Sequence, residues 1–276
     1  MAVAFSVAML ASAQRRCGLA GQSCAMLVVK LSGKALHNEQ ALGALFGQLK
    51  AQGQQALVVH GGGVEVDQIL QALNFTSTKK DGIRVSPREQ MPYIAGTLAG
   101  QCNKLLQGVA IKSGLKAVGM LCTDYDLCTL TPYAPEYGQV ASCQAHDTTL
   151  INLLLSKGIT PVISSIGLNA QGELYNINAD EVAAALAIAF HAPLVFFSDV
   201  PGVLDGNGEV IDTITEATAL DLMQSGVIKE GMAVKVKNAL NVAHSSGAPV
   251  FIASIFDEQA LAHLSTLRRI GTTLSA

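Results

Sequence analysis

Tryptophan is missing from this chain, and only 14% of its residues are charged. No basic run exceeds two residues and the formal net charge is −3, so nothing attracts a polyanion such as nucleic acid. The six cysteines, Cys17, Cys24, Cys102, Cys122, Cys128 and Cys143, form no CxxC pair and have no histidine at metal-ligand spacing. Free thiols in a reducing, cytoplasmic compartment are expected, with no bound metal held by the chain itself. The motifs GxxxxGK(S/T), GxGxxG, HExxH and GxSxG are all absent. P-loop ATPases, Rossmann dehydrogenases, zincins and serine hydrolases therefore lose their main support.

What is present is a chain of 276 residues, half of them apolar. That is enough to bury a large core, as one α/β domain with two lobes or as two domains. Residues 1–25 read separately. The apolar run 1–13 is too short to span a bilayer. Arg15 and Arg16 follow it rather than precede it, the wrong charge order for a secretory signal. The lack of any acidic residue before Glu39 would suit an organellar transit peptide. The favoured expectation is a true start at Met26, with 1–25 left out of fold reasoning.

From Met26 onward, strand and helix patterns alternate. Ala56-Leu57-Val58-Val59-His60-Gly61-Gly62-Gly63-Val64-Glu65-Val66-Asp67 reads as a buried strand, a glycine turn and a helix. Three glycines free the backbone to aim several N–H groups at one anion, and the helix start adds its positive end. Met26-Leu27-Val28-Val29-Lys30-Leu31-Ser32-Gly33 repeats the arrangement with a lysine near the strand end. If the two strands are parallel neighbours, both turns open on one edge. A lone His60 reads as a packed or loop-ordering residue rather than a ligand.

Helices are expected over 35–50, to about 74, over 86–113, 146–156, 182–190, 216–224, 232–246 and 257–267. Ser86-Pro87-Arg88-Glu89 has the form of a capping box. Strands are expected over 115–121, 159–164, 194–197 and 249–253, with an edge strand after Gly271, a hairpin or an irregular excursion within 123–143 and a turn at 169–172. Asn178 is a natural N-cap with Asp180 and Glu181 in the first turn, and with Asn176 it lies at the loop edge, where open α/β sheets bind ligands. Lys235 falls in the first turn of the 232–246 pattern, where the positive helix end disfavours it unless an anion lies alongside. A change of lobe fits best near His191-Ala192-Pro193.

These segments, Val28-Val29-Lys30-Leu31-Ser32-Gly33, Val59-His60-Gly61-Gly62-Gly63, Gly82-Ile83-Arg84-Val85, Asn176-Ile177-Asn178-Ala179-Asp180, Ser198-Asp199-Val200-Pro201-Gly202-Val203-Leu204 and Gly231-Met232-Ala233-Val234-Lys235-Val236, resemble the ordered motif set of the amino-acid kinase superfamily. Within it they are most similar to the acetylglutamate kinase family. The resemblance spans 26–276; Ser32 departs from it, standing where that family usually has glycine.

It implies a three-layer αβα sandwich around a mainly parallel sheet, the amino-acid kinase fold. A lobe over 26–190 would bind N-acetyl-L-glutamate and form a homodimer, and a lobe over 191–276 would bind ATP. It further implies that Lys30 and Lys235 flank the transferred phosphoryl group, Asp180 holds both lysines, and the Gly33 and Gly62 N–H groups donate to it. Gly62, Gly63, Arg84 and Asn176 would bind the acyl amino acid. Asp199, Val200, Pro201, Gly202, Val203, Leu204, Val227, Ile228 and Lys229 would line the nucleotide site, with Mg²⁺ carried on the ATP phosphates. Two other readings stay open: a superfamily kinase for uridylate, carbamate or an aminoadipate derivative, or a non-catalytic arginine-sensing module.

Overall fold

The computed structural model describes residues 26–228 and 230–275; the segment 1–25 and Lys229 lie outside them. The first strand, Leu27–Leu31, shows why the sheet forms. Its side chains alternate between two layers: Val28 packs into one apolar cluster and Leu27, Val29 and Leu31 into another. A strand buried on both faces needs apolar residues throughout, and parallel sheets covered by helices impose that requirement. Parallel pairing puts Ala56–His60 on one side of it and Leu194–Ser198 on the other. The sheet extends through Ile159–Ser164 to Lys116–Leu121 at one end, and through Val250–Ser254, Thr272–Leu274 and Thr213–Ile214 at the other. Six strands from Lys116–Leu121 to Val250–Ser254 run parallel; Thr272–Leu274 turns antiparallel.

One layer of helices covers the face carrying Val28 and includes Ala179–Phe190 and Glu230–Ser246. The opposite layer includes Glu39–Ala51 and Asn103–Lys112. The result is the expected three-layer sandwich, and both glycine turns open on the carboxyl edge of neighbouring parallel strands. A second sheet of four strands, Cys128–Pro132, Val140–Ala145, Leu174–Ile177 and Ile166–Leu168, supplies the hairpin expected within 123–143. Among the described residues no helix is long and apolar enough to cross a membrane, and Cys102, Cys122, Cys128 and Cys143 are free thiols.

The structure corrects several boundaries. Ser86-Pro87-Arg88-Glu89 does not start a helix; residues 87–90 form a turn and the helix begins at Met91–Ala95. Ser86 is engaged elsewhere: its N–H donates to Tyr137 O (2.9 Å), its carbonyl accepts from Gln139 N–H (2.7 Å) and its hydroxyl donates to Arg84 O (3.3 Å). From Met91 the helix continues through a π-helical stretch, Gly96–Cys102, into Asn103–Lys112. The helix expected over 35–50 divides at Asn38, whose side chain caps Glu39–Ala51 by accepting from Ala41 N–H (2.8 Å). The helix expected over 257–267 ends at Ala262, where His263 leaves helical geometry (φ −115°, ψ 17°), and Leu267 further on has a left-handed φ of 54°. Thr272–Leu274 is no edge strand, since Thr213–Ile214 pairs outside it.

Gly271, at φ 50°, lies where a Cβ would strike the carbonyl oxygens of Ile252 and Pro201. Replacing it with alanine adds a steric clash to a backbone strain. Gly47, inside Glu39–Ala51, has nothing within 4 Å of its Cβ position, so alanine there gains helix propensity. Thermal unfolding should show Gly271→Ala destabilised by about 2 kcal/mol or more and Gly47→Ala stabilised by about 0.5–1 kcal/mol.

Candidate active site

Lys30 projects near the carboxyl end of the first strand toward the start of Ala179–Phe190. Its Nζ lies 2.6 Å from Asp180 Oδ1. Asp180 is held there by Asn178, whose side chain accepts from the Asp180 N–H (2.9 Å) as an N-cap. The capping expectation is met, and the cap has a second effect: it fixes the carboxylate that receives Lys30. Asp180 Oδ1 is buried and makes no well-angled hydrogen bond, so the contact is ionic and leaves lone pairs for another cation.

Lys235 also feels the Asp180 charge. In the sheet, Lys30 stands beside Phe196, and Lys235 Nζ lies 5.9 Å from the centre of the Phe196 ring. Burial pulls the Lys235 pKa below its ordinary value; Asp180 opposes this, Lys30 reinforces it, and Asp199 opposes it again. Thus Lys30, Lys235, Asp180 and Asp199 share one electrostatic neighbourhood. The helix carrying Lys235 begins at Glu230, which puts Lys235 in its second turn rather than its first. Its unfavourable environment comes from lost water and from Lys30, not from the helix end.

The glycine turn sits against the same rim. A Cβ on Gly61 would stand 3.6 Å from Ala179 Cβ, and one on Gly62 would meet Leu98 Cδ2 at 2.7 Å and Cys102 Sγ at 2.9 Å. Only glycine fits at Gly62, which caps the helix Gly63–Ala72. Arg84 follows a tight turn in which Asp81 and Gly82 both have positive φ, 52° and 78°, the pairing that closes a two-residue hairpin. Its guanidinium, only 8% exposed, donates to Gly63 O (2.9 Å) and pairs with Asp67 and Ser77. This pairing holds the Asp67 carboxyl below its usual range. Asn176 Nδ2 donates to Ser86 Oγ (3.1 Å), and that hydroxyl donates to the Arg84 carbonyl. Gly62, Gly63, Arg84 and Asn176 therefore occupy one connected patch. Asp67, Ser77 and Ser86 support it, and no local pattern marked them.

The segments expected near a nucleotide also adjoin. Gly202 packs on Thr272, Val203 N–H donates to Thr272 Oγ1 (2.8 Å), and a Cβ on Gly206 would lie 4.0 Å from Val227 Cγ2. Asp199, Pro201 and Leu204 are exposed, Val200 and Val227 are half-buried, and Val203 and Ile228 are core residues. Lys229 lies outside the described residues, and Gly33 opens the short helix Gly33–Leu36. Another pair missed in sequence is Tyr133, whose hydroxyl donates to Glu181 Oε1 (2.9 Å), with burial raising the Glu181 pKa.

His60 is fully buried, with Nδ1 facing Gly61 O (2.8 Å) and Nε2 facing Asn103 Nδ2 (3.0 Å). It orders the turn, as expected. Burial lowers its pKa from 6.5 to about 4, so between those values only the unfolded chain binds the proton. Stability should therefore fall by roughly 3 kcal/mol as pH drops through this window. Urea unfolding of the protein and of His60→Gln between pH 7 and 4 checks this, with a weaker acid dependence expected in the variant.

Residues 25–254 match the amino acid kinase family. The chain is 49% identical over 232 residues to acetylglutamate kinase from Aeromonas salmonicida (strain A449), covering 83% of this chain and 90% of that one. It is 46% identical over 252 residues to acetylglutamate kinase from Vibrio campbellii (strain ATCC BAA-1116), covering 90% and 96%. Among solved structures, smu.665 from Streptococcus mutans UA159 superposes with a TM-score of 0.77 at 25% identity, covering 91% of this chain and 98% of that one. An N-acetylglutamate synthase from Neisseria gonorrhoeae, complexed with coenzyme A and N-acetyl-glutamate, shares the fold at 19% identity and a TM-score of 0.79, over 91% and 59%. The fold, the ordered motifs and these relatives together show that the chain belongs to the amino acid kinase family, on its acetylglutamate kinase branch.

Proposed function

We propose that the protein transfers the γ-phosphoryl group of ATP to the side-chain carboxylate of N-acetyl-L-glutamate, forming an acyl phosphate and ADP in arginine biosynthesis. What supports this reading is the Lys30–Asp180 ion pair beside a glycine-lined sheet edge, with Lys235 under the charge of both. Bringing a carboxylate to a triphosphate opposes two anions, so the site must supply positive charge where the phosphoryl group moves. Lys30 and Lys235 flank that group in this reading, and Asp180 keeps them in place. Backbone N–H groups at Gly33 and Gly62 donate to its oxygens. A carboxylate acceptor is ionised at neutral pH and needs no general base; His60, buried and neutral, is not asked to be one.

Arg84, already braced by Asp67 and Gly63 O, offers its remaining donors to the substrate α-carboxylate. Asn176 and the Gly62–Gly63 backbone complete that pocket. Asp199 to Leu204 and the segment 227–229 border the nucleotide. Mg²⁺ belongs with the ATP phosphates, whose charge it neutralises. Mg²⁺ in such sites binds largely through phosphates and water. The division at 190/191 separates the acyl amino acid and dimer lobe from the nucleotide lobe, although one sheet runs through both. A cytoplasmic homodimer completes the reading.

Incubation with ATP, Mg²⁺, N-acetyl-L-glutamate and hydroxylamine should yield the acyl hydroxamate. Uridylate, carbamate and aminoadipate derivatives should leave ATP unconsumed. Lys30→Ala and Lys235→Ala should each lower turnover about a hundredfold or more, the scale of losing one transition-state donor, while circular dichroism stays unchanged. Near-normal turnover in both would refute the placement of these lysines.

A further inference from the structure

Ser32 follows the first strand by one residue and precedes Gly33. Its N–H donates to Phe197 O (3.2 Å), so the extended ladder with Leu194–Ser198 continues through it. Side chains alternate along an extended strand. Val28 and Lys30 face the layer containing Ala179–Phe190, while Leu27, Val29 and Leu31 face the other. Ser32 therefore shares the face of Lys30, one step nearer the site. Its hydroxyl is buried and has no hydrogen-bond partner among the described residues.

A serine before a helix ordinarily caps it, but here Ala35 N–H donates to the Ser32 carbonyl (3.0 Å) and the hydroxyl is left over. A buried, unmatched hydroxyl is costly; where one persists between a phosphoryl-facing lysine and a glycine turn, a ligand oxygen is the natural acceptor.

We propose that Ser32 is a catalytic residue that donates a hydrogen bond from Oγ to a non-bridging oxygen of the phosphoryl group in transfer. This rests on the function proposed above. The bond from the acceptor carboxylate oxygen to phosphorus forms as the bond from phosphorus to the β–γ bridging oxygen breaks, with its electron pair leaving on ADP. The serine proton stays on Oγ throughout. Ser32 thereby adds a side-chain donor between the Lys30 ammonium and the Gly33 N–H.

The test compares the unaltered protein with Ser32→Ala and Ser32→Thr in the hydroxylamine assay, with steady-state constants and melting midpoints measured for each. Ser32→Ala should lose roughly tenfold to a hundredfold in kcat, with KM for ATP and N-acetyl-L-glutamate changed less than about threefold. Its melting midpoint should match or exceed that of the unaltered protein, because a buried unsatisfied hydroxyl is gone. Ser32→Thr, which keeps a hydroxyl, should recover most of the lost turnover. Turnover of Ser32→Ala within twofold of the unaltered protein would overturn the assignment of Ser32 alone, as would a folded Ser32→Thr no more active than Ser32→Ala. Absence of hydroxamate from the unaltered protein would overturn both readings together.

Discussion

Two ammonium groups separated by about two hundred positions of sequence act on each other and on one carboxylate, Asp180, which Lys30 touches directly. Like charges near a protein surface repel, and Asp180 offsets the effect of Lys30 on Lys235. Burial is the main cause of the depressed Lys235 pKa; Asp180 opposes the shift and Lys30 adds to it. Such an arrangement is poorly stable by itself and becomes favourable when a polyanion enters. In the function proposed above it serves binding and transfer.

The sheet sets where these groups meet. Parallel strands end on one edge, and the helices that follow them begin there, so strand-end side chains, bare N–H groups and helix starts accumulate in one place. Lys30 comes from a strand end, Gly62 from a turn, Asp180 from a helix start and Lys235 from a helix crossing the same face. Asn178 connects the levels: its cap bond orders the helix start that carries Asp180, the partner of Lys30. Gly62 and Gly63 leave the edge open, since a side chain at Gly62 would collide with Leu98 and Cys102.

Much of this was legible in the sequence because burial on both faces enforces apolar strands and because glycine turns and N-caps carry local signatures. The strands at 27–31, 56–60 and 194–198, the cap at Asn178 and the order of the motifs follow from short windows. What escaped depends on partners far along the chain. Ser86 resembles a helix cap beside Pro87, but its hydrogen bonds go to Tyr137, Gln139 and Asn176, residues that no local window contains. Gly138 permits that approach, since a Cβ there would collide with the Ser86 carbonyl. Asp67 and Ser77 brace Arg84 from 17 and 7 residues earlier in the chain, and Tyr133 reaches Glu181 across 48 residues. Lys235 looked misplaced for its position in a helix; the charges that act on it are Asp180, Lys30 and Asp199.

The convergence of the two lysines is read most directly by titrating the Lys235 ammonium by NMR in lysine-labelled protein, alone and with Lys30→Met or Asp180→Asn. The Lys235 pKa should lie below 10.5, rise in Lys30→Met as a like charge is removed, and fall further in Asp180→Asn as its partner is neutralised. A Lys235 titration unmoved by either substitution would contradict the shared site.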